Sequence, residues 1–152
     1  MKEIMVFGNK IENLQYKSRM GVYSIIFNKK RDQILVIRTT RGGYFLPGGG
    51  LEGKENHEEC LQRELLEETG FQVLMGEYLG QAQKYHLAMG KNPTLNHAHF
   101  YLATLGERVQ EPVEVDEEPN WVNIAEVENL LFHDHQVWGV KQAFQKVGIQ
   151  CS

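Results

Sequence analysis

Between residues 42 and 53 the chain reads GGYFLPGGGLEG, and six glycines with a proline in so short a run forbid a regular helix there. Such a segment is a shaped loop whose backbone uses angles closed to other residues. It leads directly into a helix with both ends marked. Asn56 followed by Glu59 has the pattern of a capping box, and Gly70 after Thr69 is a left-handed stop, so a helix is expected from about His57 to Thr69.

Around this unit the chain alternates strand and helix signals. Lys2 to Phe7 reads as an edge strand, Arg19 to Asn28 as a buried one, and Gln33 to Arg38 as its return, so the last two are expected to form a hairpin. Phe71 to Gln83 and His97 to Leu105 have strand character, separated by an expected polar loop from Ala88 to Asn96. After the acidic stretch Gln110 to Asn120 come a short strand, Trp121 to Ile124, and a capped helix to about Leu131 marked by Asn123 and Glu126. A last helix near His135 to Val147 places Val137, Val140, Phe144 and Val147 on one face. The order predicts an α/β (α+β) fold, a mixed sheet with helices on its faces, in a single domain over residues 1–152.

Composition narrows the function classes. A formal charge of -4 argues against a nucleic-acid polymer as partner, because such binders need a cationic surface. A small polyanion is still accessible to an acidic protein when cations intervene. Cys60 and Cys151 form no CxxC pair, which suits a reducing compartment without disulfides or structural zinc. Apolar runs such as Val22 to Phe27 are far short of a membrane span, so no membrane partner and a cytoplasmic location are expected. The edge strand at Lys2 to Phe7 offers a surface for a homodimer.

On a wheel of about 100° per residue, Glu64, Glu67 and Glu68 fall within one sector, beside Leu61 and Leu65. Like charges at this spacing repel, and a divalent cation would reverse the sign. Hard oxygen ligands suit Mg2+, with Mn2+ as an alternative, and no histidine or cysteine on this face favours zinc. A solvated acidic face is the plainer reading. The glycine loop weighs against it, because the backbone at Gly49 and Gly50 can approach an ion or a phosphate closely. Arg38 and Arg41 flank the same loop, placed either to contact terminal phosphate oxygens or to stand as exposed strand-end cations. Tyr44, Tyr85 and Phe100 are candidates for stacking on a base, although strand aromatics more often belong to the core. His133 and His135 are read beside a helix cap at Asp134, and His97 with His99 as one face of a strand, none of them as a metal ligand.

The segment Gly49 to Phe71, GGLEGKENHEECLQRELLEETGF, resembles the signature of the Nudix hydrolases. Gly49, Glu55, Arg63, Glu64, Leu65, Glu67, Glu68, Gly70 and Phe71 meet every position of it. Seven fixed identities coincide by chance on the order of once in 10⁸ registers. The resemblance implies an α/β/α sandwich and magnesium-dependent cleavage of a phosphoanhydride bond in a nucleoside diphosphate linked to a further group, in nucleotide-pool house-cleaning. It implies Glu64, Glu67, Glu68 and the Gly48 carbonyl as metal ligands, and Glu64, Arg63 and Glu67 as the catalytic set. In some relatives the glutamate at Glu64 is the general base, oriented by the arginine at Arg63; in others the base comes from elsewhere. Glu55, near the helix start, is expected to favour the helix dipole and to pair with Arg63. A further acidic ligand is expected among Glu114, Asp116, Glu117 and Glu118. A non-hydrolytic nucleotide sensor is the alternative, but such a module would be expected to lose signature carboxylates, and here all are present. The signature does not read the attached group.

Overall fold

The computed structural model describes residues 4–88, 90–113 and 116–149. Its strands are β1 (Met5–Phe7), β2 (Lys17–Ile26), β3 (Gln33–Thr39), β4 (Tyr44–Phe45), β5 (Gly48–Gly50), β6 (Phe71–Ala88), β7 (Asn92–Arg108) and β8 (Glu117–Asn123). The helices are α1 (His57–Thr69), α2 (Val127–Leu130) and α3 (Asp134–Val147). A five-stranded mixed sheet has the order β1-β6-β7-β2-β5, and a second sheet has the order β4-β3-β8. No helix among the described residues is long and apolar enough to cross a membrane.

Each face of the large sheet carries a core. On one side Val22, Ile26, Val73 and Ala103 pack with Cys60, Leu61 and Leu65 of α1. On the other, Ile25, Ala82, Ala98 and Phe100 pack with Val140, Ala143 and Phe144 of α3. The helix–sheet–helix layering is the one the sequence predicts. α1 keeps the expected bounds, with Asn56 and Glu59 forming a reciprocal capping box and Gly70 closing the helix at φ 79°. A side-chain cap of this kind contributes roughly 1 kcal/mol.

The expected hairpin of the second and third strands does not form. β2 runs parallel to β7, from Lys17 opposite Thr94 to Ile26 opposite Ala103, while β3 joins β4 and β8 in the other sheet. A single bridge, Phe27 to Ile34, is what survives of the pairing. β3 is apolar on both faces, and Leu35 enters the α1 core while Ile34 and Val36 enter the α3 core. A strand buried on both sides gains more between the two cores than beside β2.

The polar loop expected from Ala88 to Asn96 is also shorter than the sequence suggested. Pairing of β6 with β7 continues to Ala88 opposite Asn92, and Thr94 is buried. The cap expected at Asn123 forms a local turn instead, its Oδ1 accepting from the Ala125 N–H, and α2 begins after Glu126 without a side-chain cap. At α3 the N-cap is His133, and Asp134 is the first helical residue, paired with Lys84 at 3.2 Å. Lys84 offers Asp134 a stronger partner than a backbone amide would, so the proposed cap is replaced by an ion pair.

Gly139 of α3 marks a close approach that periodicity alone could not reveal. A Cβ there would stand 2.5 Å from Cδ1 of the fully buried Phe100 ring. Gly139→Ala gains up to about 1 kcal/mol of helix propensity but overpacks the core at about 1–3 kcal/mol. We expect a net loss of about 1–2 kcal/mol in urea unfolding; an unchanged or higher midpoint would refute this contact.

Candidate active site

The site is assembled where β5 meets α1. β5 lies antiparallel to β2, with Gly48, Gly49 and Gly50 opposite Tyr23, Val22 and Gly21. Gly48 has φ 139°, and a Cβ on it would collide with the Val22 carbonyl at 2.1 Å. At Gly49 a Cβ would stand 2.6 Å from the Glu64 carboxylate carbon and 2.7 Å from each of its oxygens. The bare backbone at Gly49 is therefore the floor on which that carboxylate rests.

Glu68, only 5% exposed, accepts a hydrogen bond from the Gly48 N–H at 3.0 Å. The two faces of the motif, loop and helix, are thus joined by a carboxylate. Arg63 joins them again. Its Nε and Nη2 form a fork on Glu55 at 2.6 and 2.9 Å, its Nη2 also reaches the Gly50 carbonyl at 3.0 Å, and its Nη1 holds Glu64 Oε1 at 2.8 Å. Glu67 Oε2 lies 3.5 Å from the same Nη1. A planar guanidinium serves four oxygen-bearing neighbours at once, as an ammonium could not.

The electrostatics follow from this geometry. The Arg63 fork holds the Glu55 carboxyl down at about 2. Burial pushes Glu64 up to about 7; Arg63 opposes the rise, and the negative charges of Glu67 and Glu117 add to it. Beneath them, burial pushes the Tyr23 phenol up to about 12, and Glu64 and Glu68 add to the shift while a hydrogen bond to Asn96 opposes it. A half-buried carboxylate cluster in which the charges of Glu67 and Glu117 bear on Glu64 is a setting in which a cation is stabilising.

The donor chemistry fits a hard divalent ion. Glu64, Glu67 and Glu68 offer oxygens alone, with Glu64 against the Gly49 backbone and Glu68 on the Gly48 N–H, while Arg19 Nη2 stands over Gly50. Among the described residues no three acidic, histidine or cysteine side chains close into a ready-made cage. An open donor set suits magnesium, which keeps waters and substrate oxygens in its shell.

Of the acidic residues beyond the helix, Glu117 is the one whose charge bears on Glu64. It begins β8, half-buried opposite Thr39, whereas Asp116 and Glu118 are exposed and Glu114 lies outside the described residues. Glu117 also lines a cleft of about 600 Å³ shared with Arg41, Phe45, His86, Phe132 and His133. Arg41 reaches this cleft; Arg38 is not among the residues that line it and instead faces Tyr44 and Glu118 in the small sheet. A larger hollow of about 960 Å³, walled by Phe27, Leu74, Leu102 and Trp121, shares no lining residue with the cleft; neither is lined by a signature carboxylate, and the smaller one holds Glu117.

Phe100 is not available for stacking. It is fully buried between Tyr23 and Trp138, with ring centroids at 6.0 and 5.9 Å. Tyr85 meets Tyr16 edge-on, and Tyr44 pairs within the small sheet, so neither lines the cleft. The cleft's aromatics are Phe45 and Phe132, 5.6 Å apart. Sequence reasoning missed both. Phe132 is 64% exposed, and its signal was an apolar residue lying outside the helical periodicity of either neighbouring helix. His135, by contrast, is core, bonded through Nε2 to Asn96 at 2.7 Å.

The Arg63–Glu55 fork has a pH signature. A carboxylate held below its ordinary value of 4.5 contributes stability that is complete above pH 4.5 and lost as pH falls through about 2. Glu55→Gln is expected to be less stable than the parent at neutral pH, with the gap closing between pH 4.5 and 2 in urea unfolding. A gap that stays constant over that window would show the fork to be unimportant.

Comparison with known proteins places the fold. A sequence profile described as the NUDIX domain matches residues 17–143. A Bacillus subtilis (strain 168) protein, provisionally named an 8-oxo-dGTP diphosphatase, is 34% identical over 64 residues, covering 42% of this chain and 43% of that one. The chain therefore matches less than half the length of this curated relative. A Nudix hydrolase from Nitrosomonas europaea superposes with a TM-score of 0.69 at 19% identity, over 89% of this chain and 93% of the other. The MutT protein from Methanosarcina mazei Go1 gives 0.67 at 21% identity, over 91% and 100%. These likenesses establish the shared fold, and with the profile spanning β2 to α3 the chain belongs to the Nudix family.

Proposed function

We propose that the protein is a pyrophosphohydrolase that cuts a phosphoanhydride bond in a nucleoside diphosphate linked to another group, with a divalent cation as cofactor. The observation that carries this reading is the Glu64 carboxylate resting on the bare Gly49 backbone while Arg63 holds its Oε1. Glu64, Glu67 and Glu68, with the Gly48 carbonyl, would hold Mg2+ or Mn2+. When bound, such an ion neutralises the bridging phosphates and lowers the pKa of an attacking water.

The chain's own groups account for the rest. Arg63 fixes Glu64 through one oxygen and leaves Oε2 as the atom that takes a proton from water. Glu68, anchored on the Gly48 N–H, keeps the loop at a fixed height over α1. Gly49 and Gly50 let a diphosphate come against main chain. Arg41 at the cleft mouth neutralises a terminal phosphate, and Phe45 with Phe132 provides apolar ring surface for a base. Glu117, whose charge bears on Glu64, would be the further acidic ligand. Arg38 has less to support it, being exposed on the small sheet and absent from the cleft lining.

The test is a panel of nucleoside diphosphate derivatives, including an oxidised nucleoside triphosphate, assayed with magnesium and with chelator. Turnover that chelator stops is expected, and Glu67→Gln or Glu68→Gln should lower kcat by on the order of 10²-fold or more. Gly49→Ala should do the same without unfolding the chain, because its methyl takes the space of the Glu64 carboxylate. Nucleotide binding without turnover of any panel member would instead favour a sensor module.

A further inference from the structure

The large sheet carries a polar shelf on its α3 face that the signature does not account for. Arg19, Gly21 and Tyr23 are alternate residues of β2, opposite Asn96, Ala98 and Phe100 of β7, so they share the face that packs on α3. Gly21 also lies opposite Gly50 of β5. A Cβ on Gly21 would stand 2.8 Å from the Tyr23 hydroxyl, and one on Gly50 would stand 2.7 Å from Arg19 Nη2. Two paired glycines therefore leave room for a phenol and a guanidinium to settle on bare backbone beside one another.

The phenol is held in a set direction. His135 Nε2 lies 2.7 Å from Asn96 Oδ1, an atom that can only accept, so Nε2 carries the ring proton. The buried His135 Nδ1, which has no partner, is then a lone pair, and an acceptor costs less to strand than an N–H. With its oxygen taken by His135, the Asn96 amide donates through Nδ2 to the Tyr23 oxygen. The phenol proton is left for a further acceptor, and burial keeps it in place at neutral pH. Among the described residues no carboxylate pairs with the exposed Arg19. The shelf is linked to the cleft through His135, whose ring is 5.2 Å from that of His133, while the charges of Glu64 and Glu68 bear on Tyr23.

We propose that Arg19 and Tyr23 are substrate-binding residues whose guanidinium and phenol O–H both donate to an oxygen of a third phosphate, beyond the diphosphate held at Glu64, Glu67 and Glu68. The proposal rests on the pyrophosphohydrolase reading for its substrate and narrows it to nucleotides whose attached group is itself a phosphate. Consecutive strand residues turn to opposite faces, so Glu64 over Gly49 and Arg19 over Gly50 flank β5 on its two sides. β5 is an edge strand, and a polyphosphate can pass round it from one face to the other. Asn96 and His135 act through Tyr23 and are positioning residues.

Calorimetric titration of the full chain with inorganic triphosphate and with inorganic diphosphate, in excess magnesium, tests this without presuming a base. Triphosphate should bind more tightly than diphosphate, and Tyr23→Phe and Arg19→Ala should each weaken it by about tenfold or more while diphosphate changes less. Arg19→Lys should recover part of the loss. Asn96→Ala should weaken triphosphate in the parent and add little in Tyr23→Phe, which separates aiming from packing. Lys29→Ala, at an exposed cation beyond the end of β2, should bind as the parent does. With a nucleoside triphosphate that the enzyme turns over, KM should rise by a like factor in Tyr23→Phe and kcat fall less. A parent with no preference for triphosphate, unchanged triphosphate affinity in Tyr23→Phe and Arg19→Ala, or an equal loss in Lys29→Ala would each overturn the proposal. Triphosphate binding that depends on Arg19 and Tyr23, without turnover of any nucleotide, would uphold the subsite and remove the hydrolase reading.

Discussion

The guanidinium of Arg63 is the tie on which the rest of the site depends. Glu52, Glu55, Glu64 and Glu67 all lie within 4 Å of it, and without a fixed positive charge among them these groups would drive loop and helix apart. Because the same side chain also bonds the Gly50 carbonyl, it sets the position of the glycine loop as well as the direction of the carboxylates. The geometry is that of a fork on a fork, so both distance and plane are specified. Glu55, which contributes no oxygen to the Glu64, Glu67 and Glu68 set, acts on it through Arg63.

Much of this was legible in the residues. The bounds of α1 followed from Asn56, Glu59 and Gly70, because capping is local chemistry. The shared face of Glu64, Glu67 and Glu68 followed from helical spacing. What could not be read was anything that depends on chain partners distant in sequence. β2 and β3 have hairpin patterning, yet each gains more by pairing elsewhere, and no window of a few residues records that preference. That Glu117, among the described acidic residues before Trp121, is half-buried and bears on Glu64 goes with β8 pairing to β3, which sets Glu117 opposite Thr39. Phe100 has the alternation of a half-exposed strand position and is fully buried because α3 covers that face.

The division into two sheets also explains why the cleft takes residues from so many segments. Arg41 comes from the β3–β4 turn, His86 from the end of β6, Glu117 from β8, and Phe132 and His133 from the junction of α2 and α3. The Thr40 N–H bonds the Asp116 carbonyl at 3.0 Å, and the Phe132 N–H bonds the Tyr44 carbonyl at 2.9 Å. These main-chain bonds fasten otherwise irregular connections to the small sheet, so the cleft wall inherits the rigidity of the sheet behind it.

The parallel pairing of β2 with β7 has a consequence for how the chain is made. As the polypeptide leaves the ribosome, the only strand with which β2 can form its main-chain pairs is β5, three glycines long, until the stretch beginning at Asn92 has been translated. β1 likewise waits for Ala82 to Lys84. The nascent chain thus carries apolar strands with unsatisfied edges through much of its synthesis, and closure comes with the β6–β7 ribbon, whose own pairing is local and fast. That ribbon is therefore the element on which the earlier strands condense, and a pause in elongation before it would prolong the interval of greatest exposure to chaperones and to self-association.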